Sequence, residues 1–357
     1  MNWQARTRTF CERFGLRVPI LLAPMAGACP PALSIAVAGA GGLGACGALM
    51  MRPEEILAWA AEVRAGGDGA FQLNLWIPDP PPVRDAEREA AVRAFLARFG
   101  PEPPPEAGDT RPADFEAQCE ALLAAGAPIV SSIMGLFPEA YVRTLKARRV
   151  AWFATVTTVA EARAAEAAGA DAIVAQGMEA GGHRGAFEAG QAERRMAGLV
   201  SLVPAVADAV KLPVIAAGGV ADGRGIAAAL VLGASAVQIG TGLLRTPEAG
   251  LHPAWAEALG RAAPEDTAVT RAFSGRAGRS LANAYVREAG SPGAPDPAPY
   301  PVQRGLTATM RAAAGQAGDI ERMQAWAGQS AALARPEPAG ELVTGLWAQA
   351  RALLGTV

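Results

Sequence analysis

Eight short apolar runs punctuate this chain, nearly all of them continuous rather than alternating. They occupy residues 20–23, 44–48, 71–76, 129–132, 151–156, 172–175, 214–217 and 236–239. Stretches rich in Ala, Glu, Arg and Leu separate most of them. A run that is apolar at every position is buried on both faces, the condition of a parallel strand covered by helices. One phrase recurs before three of the runs: Gly126-Ala127-Pro128, Gly169-Ala170-Asp171 and Gly233-Ala234-Ser235. Each reads as a helix stopped by glycine, a tight turn and a buried strand, with glycine taking the left-handed position past the helix end. Thr158-Val159-Ala160-Glu161 has the form of a capping box opening the helix before Gly169.

Eight such units predict an α/β fold, a (β/α)8 barrel, with a doubly wound sheet as the other arrangement of the same elements. The 357 residues, 51% of them hydrophobic, suffice for one barrel with insertions. Two regions break the rhythm. Residues 78–114 are proline-rich and charged and read as an insertion after the third strand. Residues 245–335 follow the eighth strand and read as a helical, substrate-capping subdomain. The expected division is a barrel over 1–244, this cap, and a C-terminal segment, 336–357, whose helix (340–354) returns to the barrel as its eighth outer helix.

Net charge is −2, and the basic residues are almost all scattered arginines, with lysine only at Lys146 and Lys211. No basic run offers a nucleic acid or an acidic membrane a footprint. Residues 18–51 carry no charge, but Pro19, Pro24, Pro30, Pro31 and a series of glycines break them into strand, loop and helix rather than a membrane span. The four cysteines form no C-x-x-C pair, which argues against zinc and disulfides and suits a reducing, cytoplasmic setting. No metal site is expected, and no leucine-rich secretory leader follows the first residues.

The barrel reading selects the residues that could carry chemistry, because the loops after the strands form the active face. His183 lies in Gln176-Gly177-Met178-Glu179-Ala180-Gly181-Gly182-His183-Arg184-Gly185, directly after the sixth strand. Its imidazole is suited to proton transfer near neutral pH. The other histidine, His252, reads as structural. Gly218-Gly219 ends the seventh strand and Gln238-Ile239-Gly240-Thr241 the eighth. Glycine backbone and a hydroxyl at those two ends suit a phosphate. Ala23-Pro24-Met25 at the first strand's end offers an apolar ledge for a flat ring. Gln72 and Asn74 share one face of the third strand, opposite Phe71, Leu73 and Leu75. With Gln176 and Gln238 they aim amides toward one mouth, where a ligand or water must satisfy them. Trp326 and Trp347 read as core of the late helices.

Together these segments resemble the nitronate monooxygenase family, formerly the 2-nitropropane dioxygenases. The resemblance runs through Ala23-Pro24-Met25-Ala26-Gly27, Phe71-Gln72-Leu73-Asn74, the Glu179–Gly185 stretch, Ala216-Ala217-Gly218-Gly219 and Gln238-Ile239-Gly240-Thr241. It continues in Arg271-Ala272-Phe273-Ser274-Gly275-Arg276, Ala298-Pro299-Tyr300-Pro301 and Trp326-Ala327-Gly328-Gln329. Glu-Ala-Gly-Gly-His-Arg-Gly is its most specific part. The resemblance implies an FMN-containing barrel that oxidises alkyl nitronates with O2 to a carbonyl compound and nitrite, by way of a flavin semiquinone. It implies that Ala23, Pro24 and Met25 lie against the flavin and that Asn74, Gln176, Gly181 and Gly182 contact it. Gly218, Gly219, Gln238, Ile239, Gly240 and Thr241 would hold its phosphate end. His183 would face the substrate as base or electrostatic anchor. Many relatives carry Ser-Phe-x-x-Gly-x-Pro after strand four. Here Ser131-Ser132-Ile133-Met134-Gly135-Leu136-Phe137-Pro138 departs from that pattern at a wall of the substrate pocket. An FMN-dependent NAD(P)H reductase of quinones or enoyl-acyl carriers is the alternative within flavin barrels, and a flavin carrier or sensor without turnover is the alternative outside enzymes. Oligomeric state is left open.

Overall fold

The computed structural model describes residues 2–355. Eight parallel strands form one sheet: β1 (Ile20–Leu22), β2 (Gly44–Gly47), β3 (Phe71–Trp76), β4 (Ile129–Ile133), β5 (Ala151–Val156), β6 (Ala172–Gln176), β8 (Val214–Ala217) and β9 (Ala236–Ile239). A two-residue strand, β7 (Gly182–His183), lies apart from it. The sheet runs β1-β9-β8-β6-β5-β4-β3-β2. Leu43, one residue ahead of β2, bridges Leu21 and closes the ring, with its N–H donating to Ile20 O at 3.1 Å and its carbonyl accepting from Leu22 N at 2.8 Å. The expected (β/α)8 barrel is therefore the fold, and each predicted strand is present to within a residue or so.

The strands divide their side chains between two cores. Ile20, Leu22, Leu73, Leu75 and Val130 point outward and pack under the helices. Leu21, Leu43, Phe153, Val174 and Ile215 fill the barrel interior. The interior is closed at the N-terminal end by Phe10 and Phe14 of the helix Trp3–Phe14, whose rings meet Phe153. The outer helices include Pro31–Gly39, Pro53–Ala65, Val159–Ala167 and Gly223–Val231. The last, Ala339–Leu353, wedges between Gly223–Val231 and Pro31–Gly39. Gly126, Gly169 and Gly233 all adopt positive φ just beyond a helix, so the recurring phrase is the left-handed stop it was read as. The capping box is half formed. Thr158 Oγ1 accepts from Glu161 N at 3.1 Å, whereas the Glu161 carboxylate reaches Thr157 N and Phe187 N instead of returning to the cap residue.

The two irregular regions build one roof. The insertion contributes the helix Ala86–Leu96, and its Val92, Phe95 and Leu96 share a core with Phe273, Tyr285, Val302 and Met310 from the segment after β9. That segment is not wholly helical, as the sequence suggested. It contains β10 (Thr267–Thr270) and β11 (Gly278–Leu281), which pair antiparallel with each other. β11 also pairs with β7, aligning Gly278 with His183 and Arg279 with Gly182. These strands are short and mixed in character, and β11 finds its second partner about a hundred residues away, so no local pattern marks them. Arg276, 2% exposed, pairs with Asp79 and ties roof to insertion. All four cysteines are buried and free of disulfides. Among the described residues no helix is long and apolar enough to cross a membrane.

Leu346 is fully buried where the last helix meets the barrel. Leu346→Ala should lower the unfolding free energy by about 2–5 kcal/mol, read by chemical denaturation. A change below 0.5 kcal/mol would mean that this helix contributes little to the barrel.

Candidate active site

The mouth of the barrel is built from strand ends that the register brings level. Asn74 stands beside Ser131, Gln176 beside Ala217, and Ala217 beside Gln238. Gln72 and Asn74 face inward as the alternation required. Gln72 Nε2 lies 3.3 Å from Gln238 Oε1 across the interior, and Asn74 Nδ2 donates to Ser131 Oγ at 3.0 Å. Among the described residues, buried Gln72 Oε1 has no hydrogen-bond partner. Gln176 has a different task. Its Nε2 donates to His183 O at 3.0 Å and its Oε1 accepts from Gly185 N at 2.8 Å, so both amide ends hold the loop that presents His183.

The Ala23-Pro24-Met25 turn is shaped by a residue the sequence reading passed over. Cys29 Sγ donates to Ala23 O and accepts from Met25 N, both at 3.3 Å. Burial pushes its thiol up to about 12, so it remains a donor. The turn lies against the end of β9, since a Cβ on Gly240 would stand 3.3 Å from both Met25 Sδ and Ala23 Cβ. Gly218 and Gly219 both have positive φ, and a Cβ on Gly219 would meet Glu179 at 3.2 Å. A Cβ on Gly181 would sit 2.5 Å from Gly328 N and 2.9 Å from Thr241 Oγ1, a distance only glycine allows. Thr241 Oγ1 accepts from Gly328 N at 3.0 Å, and Ser330 donates to Gly219 O at 2.5 Å. Of the predicted residues, Ala23 and Met25 thus meet Gly240, Gly181 meets Thr241, and the 328–330 loop joins Gly181, Thr241 and Gly219, whereas Gly182 pairs with Arg279 and the Ile239 side chain packs in the outer core. The helix after Gly219 begins at Gly223, and Asp222 already accepts from the N–H groups of Arg224 and Gly225.

His183 is half-buried among rings. Trp76 and Trp326 each lie 4.8 Å from it, and Tyr300 stacks on Trp76 at 4.8 Å. Trp326 is therefore a site residue and not helical core: it sits in an extended segment bridged to Ser280. Trp347 packs in the last helix, as expected. His252 caps the helix Pro253–Arg261, a structural role. Ser274 is the imidazole's hydrogen-bond partner, at 2.7 Å from Nε2. Ser274 Oγ is 3.2 Å from Arg276 O. A hydroxyl proton given to that carbonyl leaves Nε2 as the donor to Oγ; one given to Nε2 leaves the ring proton on Nδ1. Burial, then the cations Arg276 and Arg304, push His183 down to about 3. Among the described residues no ion pair involves Arg304; burial lowers its pKa and Tyr300 opposes that shift. Ser274, Tyr300, Arg304, Trp76 and Trp326 carried no local signal of a site; the motifs around them did, through the resemblance.

A histidine held neutral in the folded state favours the fold at higher pH. The unfolded chain binds the proton below about 6.5, so this stabilisation is complete above that pH and is lost as pH falls toward 3. Denaturation between pH 4 and 7 should therefore show a stability slope that His183→Asn reduces. Equal slopes in the two proteins would show that His183 is not held neutral.

The nitronate monooxygenase family model matches residues 9–349. A nitronate monooxygenase from Pseudomonas aeruginosa is 41% identical over 343 residues, covering 94% of this chain and 97% of the relative. A solved nitroalkane oxidase from Streptomyces ansochromogenes is 36% identical with TM-score 0.86, covering 95% and 98% of the two chains. The FabK structure from Thermotoga maritima is 28% identical with TM-score 0.73, covering 98% and 97%. The chain is an oxidoreductase and belongs to the nitronate monooxygenase family.

Proposed function

We propose that the protein binds FMN at the barrel mouth and oxidises nitronates, and nitroalkanes after deprotonation, with O2 to a carbonyl compound and nitrite. The observation that carries this is the pairing of a neutral, ring-walled His183 with a glycine- and amide-lined mouth. The donor set suits a flat heteroaromatic with a phosphate tail. Met25, with Ala23 and Pro24, offers an apolar ledge, and Asn74 and Gln238 offer amides beside the partnerless oxygen of Gln72. Gly181, Gly182, Gly218, Gly219, Ile239, Gly240 and Thr241 would hold the phosphate end. Thr241 accepts from Gly328, and no hydrogen bond among the described residues uses its own proton. Gln176 would serve by fixing the His183 loop. FMN, when bound, supplies the electron acceptor for the substrate and the route onward to O2.

The chain's own part is charge, orientation and proton handling. A nitronate is an anion, and Arg304 and Arg276 place positive potential at His183. Trp76, Trp326 and Tyr300 exclude water around the ring and fix its plane. The unprotonated nitrogen of the neutral imidazole can take the α-proton of a nitroalkane, while Ser274 orients the ring through Nε2. A preformed nitronate needs no such step, and the arginines would then do the binding. Likeness to FabK is what supports the reductase alternative, at lower identity and TM-score than the likeness to the nitroalkane oxidase. Anaerobic bleaching by NADH but not by a nitronate would select it.

His183→Asn should retain FMN and slow nitroalkane turnover by about 10²–10⁴-fold, with a smaller loss on preformed nitronate. Unchanged nitroalkane turnover removes His183 from proton transfer. Thr241→Val should weaken FMN binding at least tenfold, about 1.4 kcal/mol, measured by fluorescence titration of the apoprotein. Undiminished affinity would displace Thr241 from the phosphate site.

A further inference from the structure

The roof satisfies its arginines with one exception. Ten arginines lie from Arg245 to Arg335. Six form ion pairs with carboxylates, Arg276 with Asp79 among them. Arg245, Arg279 and Arg311 donate instead to carbonyl, hydroxyl or amide oxygens. Arg304 does neither: among the described residues no hydrogen bond or ion pair involves its guanidinium, although burial lowers its pKa. A cation drawn partly out of water calls for an anion.

The free donors of Arg304 are not sealed in. Arg184 keeps Nε and Nη2 fully buried and without partners; no nitrogen of Arg304 is in that condition, and the residue is half-buried. Its unpartnered N–H groups therefore open onto accessible space. Arg304 lies in the helix Val302–Leu306. Gln303 N donates to Pro299 O and Gly305 N to Pro301 O, both at 3.1 Å, which carries the helical winding back past Tyr300. Tyr300 and Arg304, four residues apart, thus share one side of that winding. Tyr300 stacks on Trp76, and Trp76 stands against His183. The Arg304 charge is felt at both ends of this row of rings. After burial and Arg276 it is the third cause of the lowered His183 pKa, and it opposes the rise that burial imposes on Tyr300. Arg311 donates to Arg304 O at 2.9 Å, so the backbone is held while the side chain is free to bind. Arg276, the other cation at His183, is already satisfied by Asp79 and by Ala186 O.

We propose that Arg304, rather than Arg276, is the anion receptor of the site, and that it takes planar monoanions with two oxygens side by side: the nitronate group of the substrate and, in its place, inorganic nitrite or nitrate. The guanidinium fork matches two oxygens in one plane, which a spherical ion does not offer. The inference rests on the nitronate reading for the substrate, and on the unpaired guanidinium alone for the inorganic anions. Nitrite, a product of that reaction, then competes with the next substrate molecule, and accumulating product slows turnover.

Calorimetric titration of the FMN-loaded enzyme with sodium nitrate, at constant ionic strength, reads the site without turnover. Nitrate should bind saturably, at least tenfold more tightly than chloride. Arg304→Met should weaken nitrate binding at least tenfold, and Arg304→Lys, which keeps the charge but not the fork, should recover part of that loss. No saturable nitrate binding, equal affinity for chloride, or undiminished affinity in Arg304→Met would overturn the proposal. Kinetics of the unaltered enzyme test it without a variant. Nitrite should compete with ethyl nitronate, raising KM at constant kcat; inhibition that lowers kcat, or none at all, would overturn it. In Arg304→Met, KM for ethyl nitronate should rise at least tenfold with a much smaller change in kcat, and an unmoved KM would count equally against it. If ethyl nitronate is not turned over but nitrate binds the unaltered enzyme and not Arg304→Met, the assigned reaction fails and the anion site stands.

Discussion

The molecule depends on how the backbone after β6 is held. Gln176 grips the loop from inside, bonding His183 O and Gly185 N. Arg184, 1% exposed, donates to Gln176 O and Gly177 O from beneath. β11 pairs with Gly182 and His183 from above. A loop rich in glycine loses much conformational entropy on ordering. Here three separate sets of hydrogen bonds oppose that loss, and their effect is to fix one imidazole. Remove the amide of Gln176 and a buried N–H and a carbonyl are left without partners.

The site is divided by chemistry. The barrel ends supply backbone, amides and one hydroxyl, groups suited to a large neutral ring system and an anionic tail. The roof supplies rings and cations: Trp326, Tyr300, Arg276 and Arg304 all come from the segment after β9, and Trp76 from the end of β3. Charge and exclusion of water are therefore controlled by an element that contributes nothing to barrel closure. A family built this way can alter its substrate pocket by changing roof and insertion, while the mouth stays as the strands dictate.

The barrel was legible because most strands are largely apolar runs and three helix stops, Gly126, Gly169 and Gly233, are left-handed glycines, both local signals. The inward face of Gln72 and Asn74 followed from period two alone. The roof was less legible. β10 and β11 are four residues each and owe their existence to pairing with one another and with β7. Trp326 resembles any core tryptophan until the chain folds back on Ser280 and His183. Ser274 and Arg304 carry no pattern at all, since their significance is their distance from an imidazole that is remote in sequence. Cys29 looked like an ordinary buried thiol, and only the turn it braces gives it a role.

The connection from β9 to the helix Ala339–Leu353 has a bearing on how the protein is made. The roof is threaded into the chain between the eighth stave and the helix that covers it. A chain leaving the ribosome therefore presents the whole roof before Gly223–Val231 acquires its last neighbour. Gly181 must also wait for Gly328, and His183 for Gly278. Contacts of such long sequence separation form late and slowly. The catalytic mouth is consequently among the last parts to mature, and an incompletely synthesised chain holds a nearly finished barrel with no working site.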